Sequence, residues 1–257
     1  MMVFSSAIFL FLFLPATILA DRILLENRLK NTALIAASLI FYAFGEPVYI
    51  CLMLFSAGMN YFLGRLAAKD GAVGKTGLWL AVFANVALLG VFKYADFFME
   101  TLNHIFALNL ALPGIRLPIG ISFFTFQAMS YVIDVYREKG LCQRRFPELL
   151  LYISFFPQLV AGPIIKYKDI RLQLHTRVCC SEKTAEGLRR FTIGLAKKLL
   201  IANTMGQTAD LIFSLDNGQL NIMLAWLGAI TYTLQIYYDF SGYSDMAIGL
   251  GLSLIHI

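Results

Sequence analysis

Charged side chains are scarce in this sequence. They make up 14% of the 257 residues, whereas 59% are hydrophobic and the mean hydropathy is +0.70. Ordinary soluble domains are about 25% charged and roughly 45–50% apolar. A soluble core has no room for this excess of apolar side chains. The composition therefore excludes an ordinary soluble domain and predicts an all-α membrane protein that crosses the bilayer several times.

Cysteine and histidine are also sparse, with four and three residues respectively. No Cys-x-x-Cys spacing occurs, and Cys179 and Cys180 are adjacent, so neither a metal site nor a disulfide framework is predicted. A basic segment ahead of the first apolar run is missing as well. Met2–Ala20 is therefore predicted to be a first transmembrane helix, since it is long enough to span and lacks the features of a signal peptide.

Uncharged runs divide the rest of the chain into candidate membrane spans. Pro47 disfavours helical geometry at the residue before it, so Asn31–Gly45 and Pro47–Gly64 are predicted as two helices in a tight hairpin. A basic loop from Arg65 to Gly77 should follow them. Further spans are predicted at Thr76–Phe92, Leu117–Ile133, Leu199–Ser214 and Leu220–Tyr238.

Most of the 21 Lys and Arg residues lie between Arg137 and Lys198. A basic region between apolar spans is explained by cytoplasmic loops, so no nucleic-acid partner is predicted. If Thr101–Ile115 crossed the membrane in addition to Leu117–Ile133, the basic cluster from Arg137 to Arg145 would face the wrong side. If Leu149–Ile165 crossed, the basic residues from Lys166 to Arg177 would face the wrong side in the same way. We therefore predict that the first is interfacial or re-entrant and the second re-entrant. Irregular backbone at membrane depth requires a protein-lined cavity.

Glu186–Lys198 is amphipathic and basic. Such a segment is typical of a helix that lies against anionic lipid. The alternative is a surface that binds a phosphate-bearing donor from the cytosol. The sequence leaves both interpretations open.

The stretch Gln235–Gly251 follows an apolar run and contains two aspartates. A charged carboxylate at the centre of a bilayer costs about 2.5–3.5 kcal/mol, so two within seven residues suggest a function. Ser241 and Asp245 are four residues apart and share a helix face. Asp239 and Asp245 differ by about 120° around a helix, so a carboxylate dyad would require a break near Gly242. Hydrogen bonding within the protein and the lining of a tunnel are the alternatives.

A second polar group is predicted around Gln127 and Asp134, which are seven residues apart and so share a helix face. They either form a polar line towards a cavity or satisfy one another through water. Gly120, Gly162 and Gly242 are expected to permit close backbone approach. The candidate tunnel and motif residues are Gln127, Asp134, Pro157, Gln158, Gly162, Pro163, Tyr238, Asp239, Ser241, Gly242, Tyr243, Ser244 and Asp245.

Six segments together resemble the membrane-bound O-acyltransferase family, in the branch typified by bacterial alginate O-acetyltransferase. The longest reads LPIGISFFTFQAMSYVIDVYR, and a second reads FFPQLVAGP. The six occur in the family's order along nearly the whole chain. They are Phe41–Pro47, Phe92–Asp96, Leu117–Arg137, Phe155–Pro163, Gly187–Lys198 and Gln235–Gly251.

The resemblance implies a transmembrane helix bundle with re-entrant segments around a tunnel. It also implies multi-pass insertion in a bacterial inner membrane and transfer of an acyl group, expected to be acetyl, from a cytosolic donor towards hydroxyls of an exported polysaccharide. Acetyl-CoA is the expected donor, no bound cofactor is expected, and periplasmic partner proteins would complete the transfer. A transporter, a flippase or a structural export subunit is the alternative, although no inverted repeat is apparent.

The family's characteristic histidine lies in a segment that would follow Gly251, and neither His104, His175 nor His256 matches it. Residues 1–251 are therefore expected to be the N-terminal part of a single membrane domain. This part alone should be inactive, because no imidazole is placed to deprotonate an acceptor hydroxyl. The ending Leu252–Ile257 departs from the family pattern. Our hypothesis is that it is translated from a sequencing adapter, which the coding DNA would reveal.

Overall fold

The computed structural model describes residues 3–109, 111–160, 162–163, 165–175, 181–216 and 218–255. No strand occurs among these residues, and their regular elements are helices, which confirms the all-α class. In chain order the α-helices are α1 (Leu14–Ile23), α2 (Asn27–Ala43), α3 (Ile50–Ala67), α4 (Gly71–Phe106), α5 (Ile121–Arg137), α6 (Phe146–Ser154), α7 (Phe156–Leu159), α8 (Tyr167–His175), α9 (Ser181–Ala196), α10 (Asn203–Phe213) and α11 (Ile222–Leu254). A short 3-10 helix, Lys139–Leu141, follows α5.

The chain divides into two compact units. The first contains Leu24–Val160 and Ile164–His175, and so holds α2 to α8. The second contains Met2–Ile23, Ala161–Pro163 and Thr176–Ile257, and so holds α1 and α9 to α11.

In the first unit, α3 and α4 are long and apolar enough to cross a membrane. Their outer faces carry large apolar side chains that are mostly exposed, including Phe62 at 69%, Trp79 at 62% and Phe83 at 72%. Apolar surface of this kind is rare on soluble monomers, and hydrocarbon is the solvent that suits it. The predicted break before them is confirmed, because α2 ends at Ala43 and α3 begins at Ile50.

The connection between α3 and α4 is shorter than predicted. Gly71–Gly77 belongs to α4, and only residues 68–70 form the turn, so the predicted loop up to Gly77 is wrong. The reason is close packing: a Cβ atom on Gly77 would lie 2.7 Å from the backbone nitrogen of Ala67. Glycines that suggested a flexible loop instead allow the two helices to meet at their hairpin.

One pair of buried amides joins α3 to α4 further along. The Asn60 Nδ2 atom donates to Asn85 Oδ1 over 3.1 Å, and the Asn85 Nδ2 atom donates to Asn60 Oδ1 over 2.8 Å. Each amide also donates to the backbone carbonyl four residues before it. Both side chains are fully buried, so these bonds satisfy their polar atoms inside an apolar contact.

Helix α4 is 36 residues long, or roughly 54 Å, and extends well beyond the predicted span Thr76–Phe92. The separate interfacial or re-entrant segment at Thr101–Ile115 is therefore wrong in its first part, because residues 101–106 are the last turns of α4. The charged residues Lys93, Asp96 and Glu100 interrupt the apolar pattern but do not stop a helix. The helix ends at Phe106, and the next residue, Ala107, has a left-handed φ of 51°.

The described residues of the segment predicted as re-entrant, Leu149–Ile165, contain no helix long enough to span a membrane. Helix α6 has nine residues and α7 has four, and the two are separated at Phe155, just before Pro157. Residues 149–159 are all buried. An irregular, protein-enclosed segment is thus confirmed, and its position at membrane depth stays a prediction.

In the second unit, the predicted boundary between Glu186–Lys198 and Leu199–Ser214 is wrong. Helix α9 continues through a π-helical turn, Lys197–Ala202, directly into α10. Helix α11 is also longer than predicted, running from Ile222 to Leu254 without interruption. The continuous helix from α9 through α10 is the first rod of this unit, and α11 is the second. Each rod is about 50 Å long, which exceeds the roughly 30 Å hydrocarbon layer of a bilayer.

Candidate functional site

The polar stretch predicted at Gln235–Gly251 lies within α11, where it packs antiparallel against α9 and the π-helical turn. Glycines bring the two backbones together. A Cβ atom on Gly194 would lie 2.5 Å from the carbonyl oxygen of Gly242. Seven residues earlier on α9, Gly187 lies equally close to Gly249. The predicted close approach at Gly242 is therefore confirmed.

Beside this contact, three cations from one helix meet two carboxylates from the other. The Lys197 Nζ atom lies 2.6 Å from Asp245 Oδ2 and donates to Ser241 Oγ over 3.0 Å. The Arg190 Nε atom donates to Asp245 Oδ1 over 3.1 Å. One turn away, Lys198 Nζ lies 2.6 Å from Asp239 Oδ1. We call these six residues the α9–α11 charge network.

The network holds Asp245 as a carboxylate. Burial alone would raise the pKa of Asp245, whose side chain is 18% exposed, but the hydrogen bonds from Lys197 and Arg190 outweigh burial and lower that pKa. Asp245 lies beyond Tyr238, where the predicted span ends. The interaction is strong because both donors are charged and both carboxylate oxygens are used.

The same geometry limits the chemistry that the network can perform. Lys197 donates to both Ser241 and Asp245, so the geometry places it as a hydrogen-bond donor to the serine oxygen and not as an acceptor of the serine proton. Asp239 and Asp245 bind different lysines, and the helix is unbroken at Gly242, so the two aspartates do not form a dyad. The arrangement fixes one helix against another and presents polar groups between them.

The remaining predicted residues of this stretch lie around the network. Tyr238 and Ser244 are half-buried. The Tyr243 ring stacks on Phe4 with ring centroids 4.7 Å apart, which ties α11 to the N-terminal segment of the same unit. Ser241 and Asp245 share one helix face, as their spacing predicts, because both bind Lys197.

In the first unit, Gln127 secures the break between α6 and α7. Its Nε2 atom donates to the carbonyl oxygen of Tyr152 over 2.7 Å and to Gln158 Oε1 over 3.1 Å. The backbone nitrogen of Phe156 donates to Ser38 Oγ over 3.1 Å. These bonds supply partners to backbone groups that the helix break leaves without helical ones. Two of the predicted candidate residues, Gln127 and Gln158, are therefore in direct contact.

Asp134 does not join this group. Its Oδ2 atom is buried without a hydrogen-bond partner among the described residues, and Gln127 donates to Tyr152 and Gln158 instead. The contact through water stays a prediction. Pro157 is buried in the first turn of α7. Gly162 is buried and Pro163 half-buried, outside any regular element, in the second unit. The close approach predicted at Gly120 is confirmed, since a Cβ atom there would lie 2.6 Å from the Leu159 carbonyl oxygen.

The sequence interpretation missed the cationic half of the charge network. Glu186–Lys198 was expected to face lipid or a cytosolic donor, whereas Arg190, Lys197 and Lys198 bind α11. A signal existed in the spacing: Arg190 and Lys197 are seven residues apart, as are Gly187 and Gly194. Each pair shares a helix face, and a basic stripe beside a glycine stripe is typical of a helix contact.

The three histidines lie in different parts of the chain. His104 is exposed near the end of α4, His175 ends α8, and His256 lies outside the described residues. Among the described residues, no group of three or more His, Cys, Asp or Glu side chains could hold a metal ion. The hypothesis that Leu252–Ile257 is foreign stays a prediction; the structure buries Leu254 and Ile255 at the end of α11.

Comparison with known proteins adds independent evidence. A family model described as "MBOAT, membrane-bound O-acyltransferase family" matches residues 143–254. A probable alginate O-acetylase AlgI of Pseudomonas putida is 43% identical over 98% of this chain and 53% of its own length. A peptidoglycan O-acetyltransferase of Helicobacter pylori is 35% identical over 98% of this chain and 54% of its own.

A more distant relative is a teichoic acid D-alanyltransferase of Bacillus subtilis, which is 26% identical over 51% of this chain and 34% of its own length. The lower identity and coverage agree with the resemblance to the alginate-type branch. The chain spans about half the length of the first two relatives.

Proposed function

Because this chain belongs to the membrane-bound O-acyltransferase family, we propose that the protein containing it transfers an acyl group to hydroxyls of an exported polysaccharide. The observation that carries this proposal is the identity of 43% to a probable alginate O-acetylase, sustained over 98% of the chain. A match over 98% of the chain covers the segments that hold the charge network, the helix break at Phe155 and both candidate spans.

We further propose acetyl as the group transferred and acetyl-CoA as its cytosolic donor. The protein would cross a bacterial inner membrane several times, with its re-entrant segments around a tunnel, and periplasmic partner proteins would complete the transfer. The exposed apolar faces of α3 and α4 support the membrane placement. Transfer across a membrane requires a protein-lined path, and an irregular, enclosed segment such as α6–α7 is suited to line one.

Within this function, the charge network would position α11 and would not take part in the reaction. Lys197 and Asp245 are mutually satisfied and hold α11 in one register against α9. We propose that α11 leads towards the family histidine, which would act as the general base on the acceptor hydroxyl. The 257 residues alone would then have no acyltransferase activity.

The test is complementation in an alginate-producing bacterium that lacks its own O-acetylase. The full-length gene encoding this chain should restore acetyl esters on the secreted polymer, measured by proton NMR. Replacing the downstream family histidine by Ala should remove the esters and leave the amount of secreted polymer unchanged. The matched control is His104→Ala, which should keep full acetylation because His104 is exposed at the end of α4. Loss of polymer export instead of acetylation would support a transporter and refute the proposal.

A second acceptor is favoured by the Helicobacter pylori relative, which acts on peptidoglycan according to its name and is 35% identical over 98% of the chain. The same complementation distinguishes the two acceptors. Purified peptidoglycan from the complemented strain should carry no added acetyl groups if the exported polysaccharide is the acceptor. Esters on peptidoglycan alone would identify it as the acceptor.

A further inference from the structure

Four cations surround a cavity in the first unit. Lys139, Arg144, Arg145 and Arg171 line a space of about 460 Å³ together with Gly140, Cys142 and Gln143. No acidic side chain is among these lining residues. The cavity lies where the connection between α5 and α6 meets α8, in the most basic part of the sequence. We call it the basic cavity.

Two of these cations lack an acidic partner. Lys139 pairs with Asp70, and the Arg145 Nη1 atom lies 3.5 Å from Glu148 Oε1. Arg144 and Arg171 make no ion pair within the part of the chain that the structure describes. They differ in this respect from Arg190, Lys197 and Lys198, each of which forms an ion pair with an aspartate of α11. The basic cavity therefore contains two guanidinium groups that are available to an external anion.

The loop that carries Arg144 and Arg145 is held in place by the buried amide of Gln143. The Gln143 Oε1 atom accepts from the backbone nitrogens of Arg144 over 2.7 Å and Arg145 over 3.2 Å. Its Nε2 atom donates to Glu148 Oε2 over 2.6 Å and to Tyr167 Oη over 2.7 Å. All four hydrogen-bonding positions of the amide are thus used, although only 6% of the residue is exposed.

Tyrosines fix the same loop from the protein side. The backbone nitrogen of Gln143 donates to Tyr131 Oη over 3.0 Å, and Tyr61 Oη donates to the carbonyl oxygen of Arg144 over 2.7 Å. The Tyr131 and Tyr167 rings meet edge to face with centroids 5.0 Å apart. Burial raises the pKa of the Tyr167 hydroxyl, which keeps it protonated as a hydrogen-bonding group. The two arginines are therefore presented by a rigid backbone.

We propose that the basic cavity binds the phosphate groups of a ligand, with Arg144 and Arg171 as its principal contacts. Guanidinium groups bind phosphate oxygens through paired hydrogen bonds, and a pre-ordered backbone lowers the entropy lost on binding. The cavity is large enough for a diphosphate or a lipid headgroup. This binding does not depend on the acyltransferase activity proposed above.

The experiment uses the purified full-length protein and two probes. Pyrophosphate stands for a soluble phosphate ligand and is measured by calorimetric titration in a neutral detergent. Phosphatidylglycerol stands for a lipid headgroup and is measured by native mass spectrometry after reconstitution with an equal amount of phosphatidylcholine. The double variant Arg144→Gln/Arg171→Gln is compared with Lys69→Gln/Lys75→Gln, which removes two exposed cations outside the cavity.

The cavity variant should weaken binding of at least one probe by about tenfold or more, and the control variant should weaken it less than about twofold. Loss of pyrophosphate binding identifies a soluble ligand, and loss of phosphatidylglycerol retention identifies a lipid. Equal binding of both probes by the wild type and the cavity variant overturns the proposal. Arg144 is exposed and Arg171 half-buried, so the variant should keep its helical circular dichroism. If it does not, Arg144→Lys/Arg171→Lys keeps the charge and should retain part of the binding.

Discussion

Replacing Gly194 by Ala should destabilise the second unit, because the added methyl group has no room. Its carbon would lie 2.5 Å from the carbonyl oxygen of Gly242 and 2.7 Å from the backbone nitrogen of Met246. Both are backbone atoms, so neither can rotate away, and α9 and α11 must separate. Overpacking of this kind costs roughly 1–3 kcal/mol. The higher helix propensity of Ala returns up to about 1 kcal/mol.

The net effect should be a loss of about 1–2 kcal/mol, since separation also lengthens the bonds from Lys197 to Asp245 and Ser241. For a chain of this size that corresponds to a fall in Tm of roughly 2–8 °C. The assay is thermal unfolding of the detergent-solubilised protein followed by circular dichroism at 222 nm.

The matched control is Gly90→Ala in α4, where nothing lies within 4 Å of the added carbon. There the methyl group meets no protein atom, and the helix propensity of Ala should leave Tm unchanged or raised. If Gly194→Ala and Gly90→Ala shift Tm in the same direction, the close contact between α9 and α11 is not a determinant of stability and the reasoning is refuted.

Three further predictions concern other contacts. Asp245→Asn should lower Tm at neutral pH. Because the pKa of Asp245 is depressed, the stability it contributes is present above the unfolded pKa of about 3.9 and is lost as the pH falls through the folded pKa. A difference in Tm between variant and wild type that persists unchanged in acid would contradict the pairing. Asn85→Ala should lower the free energy of unfolding by about 0.6–2 kcal/mol, because Asn60 loses its hydrogen-bond partner. The double variant Asn60→Ala/Asn85→Ala should lose less stability than the sum of the two single variants, and additive losses in this double-mutant cycle would contradict the bond. In a variant whose other cysteines are Ser, Cys142 should react slowly with maleimide at pH 7 and faster at pH 9, because burial raises its pKa; a rate like that of a small free thiol at both pH values would contradict this.

The long apolar helices could be predicted because they depend on composition and on single residues, such as proline, that interrupt a helix. Pro47 placed the break between α2 and α3, and uncharged runs placed α3 and the first half of α11. The ends of helices were less accurate. Gly71–Gly77 was expected to be a loop because glycine disfavours helices, yet close packing at Gly77 compensates for that preference.

The contacts of the candidate site could not be predicted, because they join residues that are far apart in the chain. The spacing of Ser241 and Asp245 placed them on one helix face, but it could not name Lys197, 48 residues before Asp245, as their shared partner. Gln143 gave no signal at all. It is a single amide in a basic loop, and its importance comes entirely from the four partners that the fold brings to it.

The charge network also has a consequence for how the protein is made. Lys197 and Lys198 leave the ribosome about forty residues before Asp239, their nearest partner along the chain. Until the aspartates of α11 have been made, no carboxylate of that helix can pair with the cations of the first rod. Residues 214–221 connect the two rods, and the ion pairs form only when the rods lie side by side. The two rods therefore reach their paired arrangement together, as one helical hairpin, after the second rod has been synthesised.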